Sequence, residues 1–440
     1  MSTSHSKSRR AVVPILCLVF LLQTAAFLPF WPKDRRSSIF TEDTLDPSGT
    51  QGINTLLFIA SGFIALMFLL FEFRRSTTSE SPARLVTRHP EFVLIVAWVF
   101  SSALWAEVPM VTVRKAFGLT LTLLIALFTR ELFGPRRFLS MVHAGLLLAA
   151  LCSLAAATVW PTYGTLTTET SHRVWQGVFT GKNVLAMHSG LLASSSFGLF
   201  LIGRRAHRLV AAPSLVLALF LMIKAESVGA FAALVASLLV GSLLGIELIR
   251  GRSSVRLRSM AAVAAVSTIA IFALAGGSGA GAFGKSSNLT GRTDLWASLL
   301  GALRERWLFG YGYQSFWIGS GRVASVYRDS GVQLGSAHNG YLDVSLSLGV
   351  VGLILTVVLI GRGLVRPTTN SPVDVAVVVL AINIAIVNLS ESRLLLPNSI
   401  FTTILVGFAF IEPVNRKLAR GVATHYPERD NLTPAELVQR

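Results

Sequence analysis

Charged residues are scarce in this chain. Only 14% of its 440 residues are Asp, Glu, Lys or Arg, whereas an average soluble domain carries about a quarter. Hydrophobic residues make up 52% of the chain, and its mean hydropathy is +0.62. This composition excludes a soluble enzyme, with or without a single membrane anchor. It predicts a polytopic membrane protein.

Cysteine is also scarce, and the two present, Cys17 and Cys152, lie within apolar runs. No cysteine spacing fits a metal site, so both are predicted to pack against lipid or neighbouring helices. The glycine-rich segment 275–281 is followed by Gly284-Lys285-Ser286. That sequence lacks the full G-x-x-x-x-G-K-[ST] pattern of a phosphate-binding loop. We therefore interpret the segment as a flexible exit from a membrane helix.

Acidic residues are outnumbered, with 22 Asp and Glu against 39 Lys and Arg, and the formal net charge is +17. Such a charge indicates nucleic-acid binding only where the cations gather on one face. Here they lie between the hydrophobic runs, where membrane topology explains them better. The sequence therefore predicts no nucleic-acid partner.

Hydrophobic runs of about the length of a membrane-spanning helix, roughly 20 residues, recur along the chain. They predict an all-α fold of about twelve spans, at 11–31, 52–73, 91–105, 113–129, 138–158, 184–202, 209–223, 228–249, 259–275, 339–361, 373–389 and 398–412. The chain then divides into spans one to nine (1–275), a large loop (276–337), spans ten to twelve (338–412) and a tail (413–440).

The distribution of Lys and Arg predicts how these spans are oriented across the membrane. With a cytoplasmic N-terminus, the inner segments carry 24 of the 39 Lys and Arg residues, and the short outer segments carry 9. The others lie in the large loop, which is too long for the positive-inside rule to apply. Both termini are therefore predicted to be cytoplasmic, and the large loop is predicted to lie on the outer side.

The stretch 291–352 differs from the rest because it is long, polar, aromatic and rich in glycine. An apolar residue at every fourth position from Leu295 to Trp307 predicts an amphipathic helix, lying on the outer membrane surface. Arg292 precedes this stripe, at the expected start of the helix. Free backbone N–H groups and a guanidinium together suit phosphate oxygens.

Asp294 and Tyr311 are further candidates for substrate binding in this stretch. The aromatic residues that could stack on sugar faces are Tyr311, Tyr313, Phe316, Trp317 and Tyr327. Packing of the loop on the membrane explains these residues equally well.

Cations near the membrane outside this stretch are candidates too, because a charge there is costly unless it has a partner or a task. Arg173 and Lys182 precede span six, where they would bind an anion such as a diphosphate or act as interfacial snorkelling cations. Lys224, in the tight turn after span seven, would bind substrate or simply pair with Glu226.

Another turn carries Glu391 and Arg393, which close the last outer connection and either pair with each other or serve a site. His338 and Asn339 open span ten. A neutral imidazole there could take a proton from a hydroxyl nucleophile, or simply cap the helix. Gly349 and Gly352, within that span, predict that another helix approaches closely.

These residues resemble the bacterial O-antigen ligase and polysaccharide polymerase superfamily. The family's histidine motif, H-[NSQ]-x9-G-x-x-[GTY], matches His338-Asn339 followed after nine residues by Gly349-Val350-Val351-Gly352. The family's G-R…W…G-x-G block resembles Gly291-Arg292, Trp296 and Gly310-Tyr311-Gly312. Segments 101–109 and 177–183 also look like family positions.

The resemblance implies a GT-C-like, metal-independent glycosyltransferase without a cofactor. Its donor would be a glycan on undecaprenyl diphosphate at the periplasmic face of the bacterial inner membrane. By position, His338 inherits the role of acceptor-activating base, and Arg292 holds the diphosphate. Arg173, Lys224, Asn339, Lys182, Asp294 and Tyr311 complete the predicted substrate site. A flippase and a chain-length regulator would be its partners.

One departure from the family pattern affects the expected substrate. A Ser-Arg-Gly sequence is usual at the opening of the eighth span, but this chain has Ser227-Val228-Gly229. Lys224 or Arg173 would then replace the second arginine. The overall pattern is most similar to exopolysaccharide polymerases of the succinoglycan-producing type. Two alternatives stay open, a ligase that transfers the glycan to lipid A core or protein and a transporter of the lipid-linked glycan.

Overall fold

The structure is a computed structural model that describes residues 13–24, 50–75, 81–167, 172–203, 205–249, 292–319, 321–331, 335–365 and 371–409. The predicted ninth span at 259–275, the glycine-rich segment 275–281 and the tail 413–440 lie outside the described residues.

Helices make up most of the described chain. They are α1 (Val13–Leu22), α2 (Thr50–Arg75), α3 (Pro82–Thr87), α4 (Pro90–Ser101), α5 (Pro109–Val159), α6 (Pro161–Gly164), α7 (Lys182–Ile202), α8 (Arg205–Ala225), α9 (Val228–Ile249), α10 (Arg292–Glu305), α11 (Arg322–Ser330), α12 (Gly340–Val365), α13 (Pro372–Val387) and α14 (Ile400–Ala409). Two short antiparallel strands, β1 (Thr165–Thr167) and β2 (Arg173–Trp175), depart from the all-α prediction.

Among the described residues, five helices are long and apolar enough to cross a membrane, namely α5, α7, α8, α9 and α12. The shorter apolar helices α1, α4, α13 and α14 fall on other predicted spans. The helical membrane fold is thus confirmed. The count of twelve spans stays a prediction.

Predicted spans four and five form one broken helix, α5. The break is at Gly134, whose φ of 73° and ψ of 166° are not helical, and Pro135 follows it. Glycine reaches positive φ without a Cβ clash, and proline donates no backbone hydrogen bond, so the pair redirects the helix. A turn inside α5 therefore replaces the predicted connection.

The centre of the bundle is α7, which packs against α5, α8, α9 and α13. Gly190, Ser194 and Gly198 recur every fourth residue along it. A Cβ on Gly198 would lie 2.4 Å from the Cβ of Ala376 on α13. Small residues at this spacing let membrane helices approach closely. This packing holds α7 and α13 together, and parts of the site described below lie at the start of α7 and just after the end of α13.

Helix α12 is interrupted at Gly349, where φ is 67° and ψ is −166°. The irregular segment after α10 fills this break and satisfies the backbone groups that the helix releases. Tyr311 N–H donates to Leu346 O at 2.7 Å, and Val350 N–H donates to Trp307 O at 2.8 Å. The indole of Trp98 donates to Leu348 O at 3.1 Å. Unsatisfied groups would be costly at membrane depth.

The closest contact at Gly349 is therefore with an irregular segment, whereas the prediction was that another helix approaches closely. A Cβ on Gly349 would lie 2.0 Å from Leu308 O, and one on Gly310 would lie 2.7 Å from Gly349 N. At Gly352 the nearest atoms belong to Leu348, in the same helix. Gly310 and Gly349 thus lie against each other's segments at the break, where neither position has room for a Cβ.

The apolar face of α10 also differs from its prediction. Leu295 and Leu299 are fully buried in a protein cluster that includes Tyr311, Phe316 and Leu346. Trp307 follows the helix and is 59% exposed. The stripe is apolar because it packs against the neighbouring segments and α12. The predicted contact with the membrane surface was wrong for these two leucines.

Replacing Gly349 by alanine is expected to destabilise the protein by roughly 2–4 kcal/mol, because alanine is strained at this φ and its Cβ would overlap Leu308 O. Gly361→Ala is the matched control in the same helix, since a Cβ there meets nothing within 4 Å. Thermal unfolding in detergent measures both. Equal midpoints would show that the break does not require glycine.

Candidate functional site

His338 stands directly before α12, at the end of the polar loop. Its φ of 48° is left-handed, which is uncommon for a residue with a Cβ. The side chain is 27% exposed, and its Nδ1 lies 3.3 Å from Oε2 of Glu391. This histidine is therefore accessible and has a carboxylate partner.

Glu391 belongs to the turn between α13 and α14, and its side chain is only 9% exposed. Its second oxygen, Oε1, accepts a hydrogen bond of 2.8 Å from Nδ2 of Asn183 on α7. A carboxylate at Nδ1 favours the tautomer in which Nδ1 carries the proton and Nε2 is the acceptor. The chain Asn183–Glu391–His338 thus joins three segments and directs a basic nitrogen away from Glu391.

The backbone on both sides of His338 is also held. Ala337 O accepts from the indole of Trp296 at 2.7 Å. Asn339 N–H donates to Ser392 Oγ at 3.1 Å, and Gly340 N–H donates to the carbonyls of Asn388 and Glu391 at 2.8 and 2.9 Å. These bonds offset the cost of a left-handed histidine, which is of order 1–3 kcal/mol.

Asn339 has a structural task. Its Oδ1 accepts from the N–H groups of Tyr341 and Leu342 at 3.1 and 3.2 Å. This is the pattern of a helix N-cap, in which a side-chain oxygen pairs donors that lack intrahelical partners. Asn339 therefore starts α12 and helps to end the loop at His338.

Arg292 is the first residue of α10, as predicted, and its side chain lies outside the described residues. Trp296 is four residues further on and bonds to Ala337. The first turn of α10 is therefore hydrogen-bonded, through Trp296, to the segment that carries His338. Asp294 lies in the first turn of α10 and is exposed.

Arg173 and Lys224 lie on two neighbouring elements, β2 and α8. Arg173 is exposed at the start of β2, and the Nζ of Lys224 lies 5.8 Å from the ring centroid of Trp175, two residues along that strand. Glu226 bonds to His172 at 2.7 Å, so its carboxylate has a partner other than Lys224. Lys182 is the residue before Asn183 and begins α7.

Tyr311 is 2% exposed, and its hydroxyl donates to Ala302 O at 2.8 Å and to Glu305 Oε2 at 3.3 Å. Burial and the Glu305 carboxylate raise the pKa of this phenol, so it stays a donor. Tyr313 and Phe316 are equally buried, at 1% each. Of the two readings of these aromatics, the structure favours packing.

The sequence analysis did not predict that Glu391 contacts His338 and Asn183. The turn with Glu391 was recognised as a polar outer connection, and Asn183 lies in a segment that resembles the family. The three residues lie far apart along the chain, and single-sequence patterns do not report such contacts. The signal that could have found this contact was Glu391 itself, a carboxylate beside the membrane helices with no evident structural role there.

Comparison with known proteins supports the resemblance. A family model described as O-antigen ligase matches residues 189–357, which include His338. The exopolysaccharide production protein ExoQ of Rhizobium meliloti (strain 1021) is 27% identical over 286 residues. That alignment covers 60% of this chain and 63% of the relative, so it spans less than two thirds of the relative's length.

The apolar helices define a multi-pass membrane protein. Within that class, residues 189–357 resemble the O-antigen ligase family, and the chain is similar to ExoQ. The resemblance predicted from the histidine motif is confirmed.

If Tyr311 only packs, Tyr311→Phe should lower stability by about 1 kcal/mol through the lost hydroxyl bonds, with no change in the KM for the lipid-linked donor of the reaction proposed below. Thermal unfolding and donor titration in purified membranes check this. Tyr163→Phe is the control, because Tyr163 is 48% exposed and distant in sequence. A severalfold rise in KM at unchanged stability would mean that Tyr311 touches substrate.

Proposed function

We propose that this protein polymerises undecaprenyl-diphosphate-linked oligosaccharide repeats into an extracellular polysaccharide at the periplasmic face of the bacterial inner membrane. The observation that carries the proposal is the Glu391–His338 pair at the outer end of α12, because it supplies an accessible base with its other nitrogen fixed. The kinship with ExoQ favours exopolysaccharide production over transfer to lipid A core.

In the proposed reaction, a hydroxyl of the acceptor sugar gives its proton to Nε2 of His338. Its oxygen bonds to the anomeric carbon of the donor sugar, and the bond from that carbon to the phosphate oxygen breaks. The lipid diphosphate leaves with the electron pair, and the anomeric configuration inverts. The imidazolium later returns its proton to water. Glu391 stabilises the imidazolium through its contact with Nδ1.

The leaving diphosphate needs cations nearby. We propose Arg292 for this role, because it begins α10 one turn before Trp296, which bonds beside His338. A guanidinium at a helix N-terminus binds phosphate oxygens through charge and paired N–H groups. Arg173, Lys182 and Lys224 are the further outer cations that would attract the substrate. On this proposal the reaction proceeds without a metal ion or cofactor.

The proposal places the chain in the membrane as the sequence predicts. The parts at 1–275 and 338–412 form the membrane body, the loop at 276–337 is periplasmic, and both termini are cytoplasmic. His338, Glu391, Asn183 and the start of α10 then share one side of the membrane. A flippase would deliver the repeats, and a chain-length regulator would control the product.

The first experiment measures the size of the polymer in a strain from which the gene for this protein is deleted and which carries His338→Ala, Arg292→Ala or Glu391→Gln instead. Lipid-linked single repeats should accumulate and long polymer should vanish for His338→Ala, since general-base catalysis contributes about 100- to 10,000-fold. Glu391→Gln should lower the rate at least tenfold. Membrane levels of each variant are measured in parallel.

Glu226→Gln is the matched control, because it removes a carboxylate from the other, exposed Glu–His pair. Polymer that is made but left unattached to its final acceptor would support the ligase alternative. If His338→Ala and Arg292→Ala both behave as wild type, the proposed catalytic roles are wrong and the transporter alternative gains support.

A further inference from the structure

A cavity lies beside the break in α12, and we call it the side cavity. Its volume is about 680 Å³, and its walls include Trp105, Glu305, Arg306, Trp307 and Phe309. Ligand sites in proteins are commonly of this size, with mostly apolar walls and a few polar groups. The proposed catalytic histidine and its carboxylate partner are not among the residues that line it. The side cavity is therefore distinct from the site described above.

Aromatic rings form the apolar part of the side cavity. Phe309 packs against Trp98 and Trp105, with ring centroids 5.7 and 5.4 Å away. The indole of Trp105 donates to Phe309 O at 3.1 Å, so its polar atom is used within the protein. Leu104, Trp307 and Phe309 are all exposed. Exposed apolar side chains on a membrane protein face hydrocarbon, so this wall suits the chain of a lipid.

One cation borders these rings. The guanidinium carbon of Arg306 lies 4.9 Å from the ring centroid of Tyr311, and its Nη1 donates to Trp105 O at 3.4 Å. A guanidinium has several N–H donors, and this bond uses one of them. The neighbouring carboxylate of Glu305 pairs with Arg322 at 2.5 Å, so its charge is balanced elsewhere. The side cavity thus places a positive charge beside apolar rings, which complements a lipid with an anionic headgroup.

The side cavity lies well below the proposed catalytic site. Trp307 O accepts a backbone hydrogen bond of 2.8 Å at the break in α12, so the cavity lies at the level of Gly349. That residue is nine positions after Gly340, which corresponds to about 14 Å, and thirteen before Arg362, about 20 Å. On the proposed orientation, the side cavity therefore opens toward the outer leaflet, beneath His338.

We infer that the side cavity binds the lipid carrier of the acceptor, a polyisoprenoid diphosphate, with the diphosphate at Arg306 and the first isoprene units against Trp307 and Phe309. The inference rests on the proposed function, in which the repeats that are joined are themselves attached to a membrane lipid. The acceptor hydroxyl must reach His338 while the acceptor's own diphosphate stays at the membrane. A separation of about 14 Å leaves room for a short oligosaccharide between the two. The donor diphosphate is held apart from it, at Arg292.

The probe is undecaprenyl diphosphate with a photoreactive diazirine in its first isoprene units. The purified full-length protein in phosphatidylcholine nanodiscs is irradiated with it, and labelled peptides are identified by mass spectrometry. Peptides that contain Trp105 or Trp307 should be labelled in the wild type. Arg306→Gln should lower this labelling about tenfold at subsaturating probe, because a charge-assisted contact with phosphate is lost.

Arg304→Gln is the matched control, because Arg304 is an exposed arginine in the last turn of α10 and is not among the residues that line the side cavity. It should be labelled like the wild type. Trp307→Ala tests the apolar wall separately and keeps the backbone carbonyl that bonds at the break, and its labelling should also fall. Arg292→Ala should keep the labelling of the side cavity, because the donor site is separate.

Equal labelling of the wild type, Arg306→Gln and Trp307→Ala would overturn the inference. Displacement of the probe by phosphatidylglycerol as readily as by undecaprenyl diphosphate would also overturn it, since an ordinary membrane lipid would then fill the cavity. Loss of labelling in Arg292→Ala would overturn the acceptor assignment, because the cavity would then hold the chain of the donor.

Failure of the proposed function gives a different result. Polymer formed by His338→Ala at the wild-type rate, with labelling of the side cavity still dependent on Arg306, would count against the proposed catalytic role and leave the lipid site intact. Loss of polymer in His338→Ala, with labelling independent of Arg306, would count against the side cavity alone.

Discussion

Backbone groups at membrane depth must find partners within the protein, and this requirement shapes the region around α12. Gly349 interrupts the helix nine residues after its start at Gly340, which corresponds to about 14 Å along the axis. The released groups pair with Tyr311, Trp307 and Trp98. An irregular segment between α10 and α11 is therefore anchored in the bundle.

This anchoring explains how a loop can carry a defined site. The segment that fills the break continues to Trp317, whose indole bonds to Asp343. Asp343 bonds to Ala337, and Ala337 is held by Trp296 of α10. His338 is thus fixed by contacts that begin at the helix break. Functional loops are commonly mobile, and a base with a required direction gains from such support.

Hydrophobic patterning predicted most membrane helices, because the length of an apolar run and the energetics of the bilayer are local properties. It also placed His338 at the start of α12 and Arg292 at the start of α10. Patterning missed the break at Gly349 and the burial of Leu295, since both depend on a segment that returns from elsewhere in the chain. The Asn183–Glu391–His338 contact was missed for the same reason.

The packing of α7 against α13 positions Glu391, which contacts the proposed catalytic histidine. Small residues on α7 allow α13 to pack closely, and the turn after α13 then brings Glu391 to Asn183 at the start of α7. A carboxylate that is 9% exposed needs such a partner, because burying an unpaired charge is costly. The packing of two membrane helices therefore determines where the carboxylate lies, and the carboxylate favours Nε2 of His338 as the nitrogen that would act as the proposed base.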